Sequence, residues 1–109
     1  DEVIDIHQLK EWTKSSSEWK RRAVPVTLVQ LIKSDYDLQS ILSAIEPLML
    51  DKSEYVQKGV GTLLRGLWKK HKDETEEFLL KWKNDCGRLI IRYAIEKMDK
   101  ENKKRFRKT

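Results

Sequence analysis

The segment EYVQKGVGTLLRGLWKK, Glu54–Lys70, sets two signals against each other. Val56, Val60, Leu63, Leu64 and Leu67 recur at helical spacing and define one apolar stripe. Gly59, Gly61 and Gly66 interrupt the same segment and are three of the 4 glycines in the chain. An interior glycine costs a helix about 1 kcal/mol relative to alanine. A helix keeps such residues where a neighbour must come close. Gly59 and Gly66 lie seven apart and share one flank of the stripe, so that flank is read as a packing surface rather than a ligand contact.

The pattern repeats. EWKRRAVPVTL from Glu18 overlays EYVQKGVGTLL from Glu54 at a shift of 36 residues: Trp19 on Tyr55, Arg22 on Lys58, Ala23 on Gly59, Leu28 on Leu64. A weaker third copy, LIIRYAIEKM, brings Ala94 to the same small position a further 35 residues on. Periods of this size indicate stacked helix pairs. The expected fold is all-α, a solenoid of about three antiparallel helix pairs whose second helices line one face. The spacing predicts helices over Ile6–Lys14, Ser15–Lys33, Asp37–Leu50, Glu54–Lys70, Asp73–Trp82 and Gly87–Met98. Capping boxes are read at Ser15/Glu18, Asp51/Glu54 and Asp73/Glu76. Pro25 predicts a kink or a late start in the second helix, and Pro47 a loosened last turn in the third. KENKKRFRK continues as a basic helix or frays. Residues 1–109 are read as a single domain, 99–109 as its basic tail, and the whole as the C-terminal portion of a longer protein, since the pattern is already under way at Asp1.

The net charge of +5 is unevenly placed. Residues 1–50 carry 6 Lys/Arg and 8 Asp/Glu, residues 51–109 carry 17 and 10, and the last 13 carry 7 and 2. Cys86 is alone, so the chain forms no internal disulfide, which suits a reducing compartment. No apolar run reaches the length of a membrane span. His7 and His71 have no ligand partner at metal spacing. The expected setting is cytoplasmic, nucleoid-associated in a prokaryote, with no cofactor, metal or membrane and a monomeric chain. Trp12, Trp68 and Trp82 read as packing residues, and Cys86 as a helix-start or packing residue.

On the face away from the apolar stripe lie Tyr55, Lys58, Thr62, Arg65 and Lys69, at spacings of three and four, with no acidic residue among them. The repeat adds Trp19 and Arg22 in register. Bases aligned along a stacked surface suit a polyanion backbone. The candidate DNA-binding residues are therefore Trp19, Arg22, Lys58, Thr62 and Arg65.

Three segments, LKEWTKSSSEWKRRA, YVQKGVGTLLR and RLIIRYAIEKM, together resemble the AlkD-like DNA alkylation repair family, the HEAT-like repeat DNA glycosylases. The resemblance rests on Trp12, Ser16, Trp19, Arg22 and Ala23, on Val56, Lys58, Gly59, Val60, Gly61, Leu64 and Arg65, and on Arg92, Ala94, Ile95 and Glu96. It implies a HEAT-like solenoid that holds alkylated double-stranded DNA and excises cationic N3- or N7-alkylated purines by hydrolysing the N-glycosidic bond. A carboxylate and aromatic faces would stabilise the sugar cation. It also implies that Arg22 contacts DNA. Two positions depart from the family pattern. The catalytic Asp would fall upstream of Asp1, and Asp1 and Asp5 lie too close to Arg22 to replace it, so no catalytic residue is assigned. Thr62 stands where the family has Trp. Two other readings stay open: a noncatalytic HEAT-like DNA-binding module, and a helical scaffold for an acidic protein.

Overall fold

Five of the seven α-helices among the described residues begin where a short polar side chain accepts from a free backbone N–H. Asp5 caps α1 (Ile6–Trp12), Ser17 caps α2 (Glu18–Leu28), Asp37 caps α3 (Leu38–Ile45) and Ser53 caps α4 (Glu54–Lys70). Then come α5 (Lys72–Trp82), α6 (Arg88–Ala94) and α7 (Lys100–Lys104), the last capped by Asp99. Short 3-10 helices at Val29–Leu31 and Glu46–Leu50 close the second and third helices. This computed structural model describes residues 4–109, and among the described residues there is no strand. Asp1 lies outside them.

Three caps differ from the expected boxes, and at Asp51 a distant partner claims the side chain. Ser17, not Ser15, opens α2; the Ser15 hydroxyl accepts from Ser17 N, and its carbonyl accepts from Arg21 Nη1. Ser53, not Asp51, opens α4, while Asp51 takes Arg21 Nε at 2.7 Å. No side chain caps α5, whose Asp73 and Glu76 lie inside the helix. Helix α2 passes through Pro25 and ends at Leu28, short of Lys33. Pro25 has no N–H to give Arg21 O, and the α pattern ends a few residues later. Pro47 was expected to loosen the last turn of the third helix; instead it sits at the start of a tighter 3-10 turn, where its missing N–H costs no hydrogen bond.

The helices alternate between two layers. α4 packs against α2 on one flank and α6 on the other, and these three form the first layer. α1 packs on α2 and α3, α3 on α2, and α5 on α4. The extents are 40 × 30 × 18 Å, a slab about two helices deep. The packing is that of an α-solenoid. The core runs through every level, from Leu9 and Val24 through Ile45, Val60 and Leu64 to Ile90 and Ala94.

The glycines hold this layer together. A Cβ on Gly59 would lie 2.9 Å from Arg22 Cδ and Nε, and one on Gly66 would lie 2.7 Å from Ile32 Cδ1. Both glycines therefore face the α2 side, as their spacing predicts. Gly61 faces the other way. Its Cβ would meet Tyr93 Cβ at 2.5 Å and Ile90 O at 2.9 Å, so α6 rests directly on the α4 backbone. Gln57, 9% exposed, joins the same elements: its Nε2 donates to Asp51 O, and its Oε1 accepts from Leu89 N.

The end of the chain is docked. α6 stops at Ala94 rather than Met98, the chain turns, and α7 brings Phe106 into the core at 2% exposure. Glu76 fixes this end by accepting from Trp68 Nε1, Asn102 Nδ2 and Arg105 Nη1. Burial raises the Glu76 carboxyl, but those three hydrogen bonds and the Arg105 charge outweigh it, and the pKa lies below its ordinary 4.5. The lowered value means that the carboxylate stabilises the fold above the unfolded pKa, and that this contribution is lost as pH falls through the folded one. Glu76→Gln should therefore melt lower than wild type at pH 7, by about 1.5 kcal/mol for a lost charge-assisted hydrogen bond. The gap should close as pH drops below about 4.5. Thermal melts of both proteins across pH check this; a gap independent of pH would contradict it.

Candidate nucleic-acid interface

Two adjoining features occupy the outer face of the first layer. The first is built on Tyr55, in the opening turn of α4. Trp19, from the matching turn of α2, is 69% exposed and meets the Tyr55 ring edge-on, with centroids 4.9 Å apart. The Arg22 guanidinium carbon lies 4.5 Å from the same ring's centroid, and Arg22 Nε donates to Tyr55 O at 3.1 Å. The space left open at Gly59 admits the Arg22 stem. An arginine held by one hydrogen bond and one aromatic face keeps its remaining N–H groups directed by a nearly fixed side chain.

The second feature is a groove of about 390 Å³ between α4 and α6, lined by Glu54, Lys58, Leu89, Arg92, Tyr93 and Glu96. Lys58 is one turn on from Tyr55, so Tyr55 links Arg22 to the groove. Lys58 and Arg92 are exposed, and neither enters an ion pair among the described residues.

The candidate residues thus divide. Trp19, Arg22 and Lys58 lie on one continuous surface. Arg65 is in that neighbourhood, but Glu96 from the turn after α6 accepts from its Nη1. The face expected to be free of acids is therefore bordered by Glu96 and, in the groove, by Glu54. Sequence spacing considers one helix at a time and misses a carboxylate delivered by another. Thr62 is half-buried, and its hydroxyl donates back to Lys58 O at 2.9 Å. Arg92 was not among the candidates, although its place in RLIIRYAIEKM was a signal; only α4–α6 packing sets it beside Lys58. Of the tail cations, Arg105 pairs with Glu76, and Lys104 with Glu101.

The other singled-out residues have structural surroundings. Trp12, Trp68 and Trp82 pack against the core, with Trp68 and Trp82 donating to Glu76 and Glu46. Burial pushes the Cys86 thiol up to about 11, which leaves it protonated and unreactive near neutral pH. Among the described residues no group of His, Cys, Asp and Glu is arranged to hold a metal, and no helix is long and apolar enough to cross a membrane.

The fold and this face define an α-solenoid-like domain with a basic, aromatic outer surface. The chain belongs to the DNA alkylation repair enzyme family, whose model matches residues 2–98. No curated protein and no solved structure matches it.

Proposed function

We propose that the chain is a HEAT-like, DNA-binding member of this family that holds double-stranded DNA across α2, α4 and α6. Trp19 lies against the backbone, and Arg22, Lys58 and Arg92 contact phosphates. The observation that carries this reading is the fixed Arg22 guanidinium, stacked on Tyr55 in line with two unpaired cations. Arg65 contributes less, because Glu96 already neutralises it. Phosphate contacts carry no sequence information, so binding is insensitive to sequence.

The family resemblance connects this surface to excision of alkylated purines, a reaction that needs a carboxylate near the developing sugar cation. The carboxylates bordering the face are placed for other work. Glu18 accepts from Ser53 Oγ, Glu96 pairs with Arg65, and Glu54 faces the groove beside Lys58. Thr62, turned back on its own helix, supplies no aromatic face. The role proposed for these 109 residues is therefore recognition of DNA, with no base release by the purified chain.

The test is duplex binding at several salt concentrations by wild type and by the triple variant Arg22→Ala, Lys58→Ala, Arg92→Ala. Each phosphate contact contributes about 0.9 to the slope of log K against log salt. The triple variant should lose affinity and about 2.7 units of slope. Arg65→Ala should change both much less. An unchanged slope in the triple variant would remove the face from consideration. Release of 7-methylguanine or 3-methyladenine from alkylated DNA by the wild-type chain would overturn the noncatalytic part of the reading while leaving the binding surface standing.

A further inference from the structure

A larger groove, of about 1080 Å³, runs along α6 and overlaps the first at Glu54, Leu89 and Arg92. The loop before α4, the turn after α5, α6 itself and the end of the chain all contribute to it. Seven cations line it, among them Lys52, Arg88, Arg92 and Arg107, against one carboxylate, Glu54. Among the described residues none of the seven is in an ion pair. Lys83 alone has an internal acceptor, Arg105 O. Docking of Phe106 holds Arg107 and its neighbours here instead of leaving them on a loose end. The fold thus gathers like charges from four places and leaves them uncompensated, a field that attracts an anionic partner.

The floor decides which anion. Leu89, Ile91 and Ile95 are half-buried along it. A phosphodiester backbone would leave such a floor bare, and no exposed aromatic ring lies on it to stack a base. A polypeptide that carries aliphatic side chains between carboxylates satisfies floor and rim together. We infer that this groove is a docking site for an acidic, amphipathic segment of a partner protein; it overlaps the groove of the DNA face at Glu54, Leu89 and Arg92 and extends from there to Arg88 and Arg107.

The test measures fluorescence anisotropy of a labelled peptide of glutamate and leucine, designed as a helix with leucine along one side. A control peptide keeps every glutamate and has serine for each leucine. The full chain is compared with the double variant Arg88→Glu, Arg107→Glu, whose altered residues are exposed and whose melting temperature should match wild type. The leucine peptide should bind at least about tenfold more tightly than the serine peptide, about 1.4 kcal/mol. The double variant should lose that binding while keeping its affinity for duplex DNA. Equal binding of the two peptides overturns the proposal, because the groove would then be reading charge alone. Unchanged peptide binding by the double variant overturns it as well. If duplex affinity falls in the double variant as far as peptide affinity does, the groove belongs to nucleic acid. If wild type self-associates and the double variant does not, a second copy occupies it. Either result sets the proposal aside. Arg92 lines both grooves, so the test alters only Arg88 and Arg107, which are not among the residues proposed to contact DNA.

Discussion

Phe106→Ala should destabilise the fold by about 3–5 kcal/mol, the range for truncating a large buried aromatic. Domains of this size have about 5–15 kcal/mol in total, so the variant should be close to unfolding at moderate temperature. Phe106 is 2% exposed although cations surround it in sequence. Its removal does more than open a cavity. The Asp99-capped helix, the Arg105–Glu76 ion pair and the Asn102 hydrogen bond are all held in place by that ring's burial. Denaturant unfolding checks this, and a loss below about 1 kcal/mol would mean that the end of the chain is not docked. Deleting everything after Met98 to remove positive charge would carry the same penalty. Loss of DNA binding in such a truncation would then report on folding as much as on charge. Point substitution of the exposed Lys108 and Arg107 separates the two effects.

Gly61→Val should cost about 3 kcal/mol or more, at the upper end of overpacking penalties. A side chain there meets Tyr93 Cβ and the Ile90 carbonyl, atoms that cannot yield unless α6 moves as a body. Melting of Gly61→Val beside Gly59→Ala makes the comparison informative. At Gly59 the nearest obstacle is the Arg22 stem, with Pro25 Cγ at 3.1 Å behind it; Arg22 can swing away from Tyr55, and alanine recovers about 1 kcal/mol of helix propensity. Gly59→Ala should therefore melt near wild type yet displace Arg22 from Tyr55 and weaken duplex binding. Equal stability losses at the two positions would show that both glycines serve helix contact alone.

Helices were legible in the sequence because apolar spacing is a local property, and the repeat was legible because its levels bury equivalent positions. Cap residues were not legible: Asp5 and Asp37, which cap locally, were not read as caps, and none of the expected Ser15, Asp51 and Asp73 caps its helix. Asp51 is held by Arg21, and Glu76 by three groups from other elements. The same limit applied to the face. The register placed Arg22 beside α4, and Lys58 followed from helical spacing. The pairing of Arg65 with Glu96 depends on a turn that ends α6 early, which no spacing within α4 encodes. Phe106 was hidden by composition, since one aromatic among bases reads as solvated until a vacancy in the core is known.

Nearly all polar links between levels span about one repeat. Arg21 reaches Asp51, Arg22 reaches Tyr55, Lys81 reaches Glu46 and Lys70 reaches Ile32, and among the described residues no hydrogen bond joins positions more than 38 apart. A stack tied only between neighbours has the elasticity of a leaf spring. Small rotations at each joint add along its length, so its curvature can follow a bent rod at low cost while every joint stays packed.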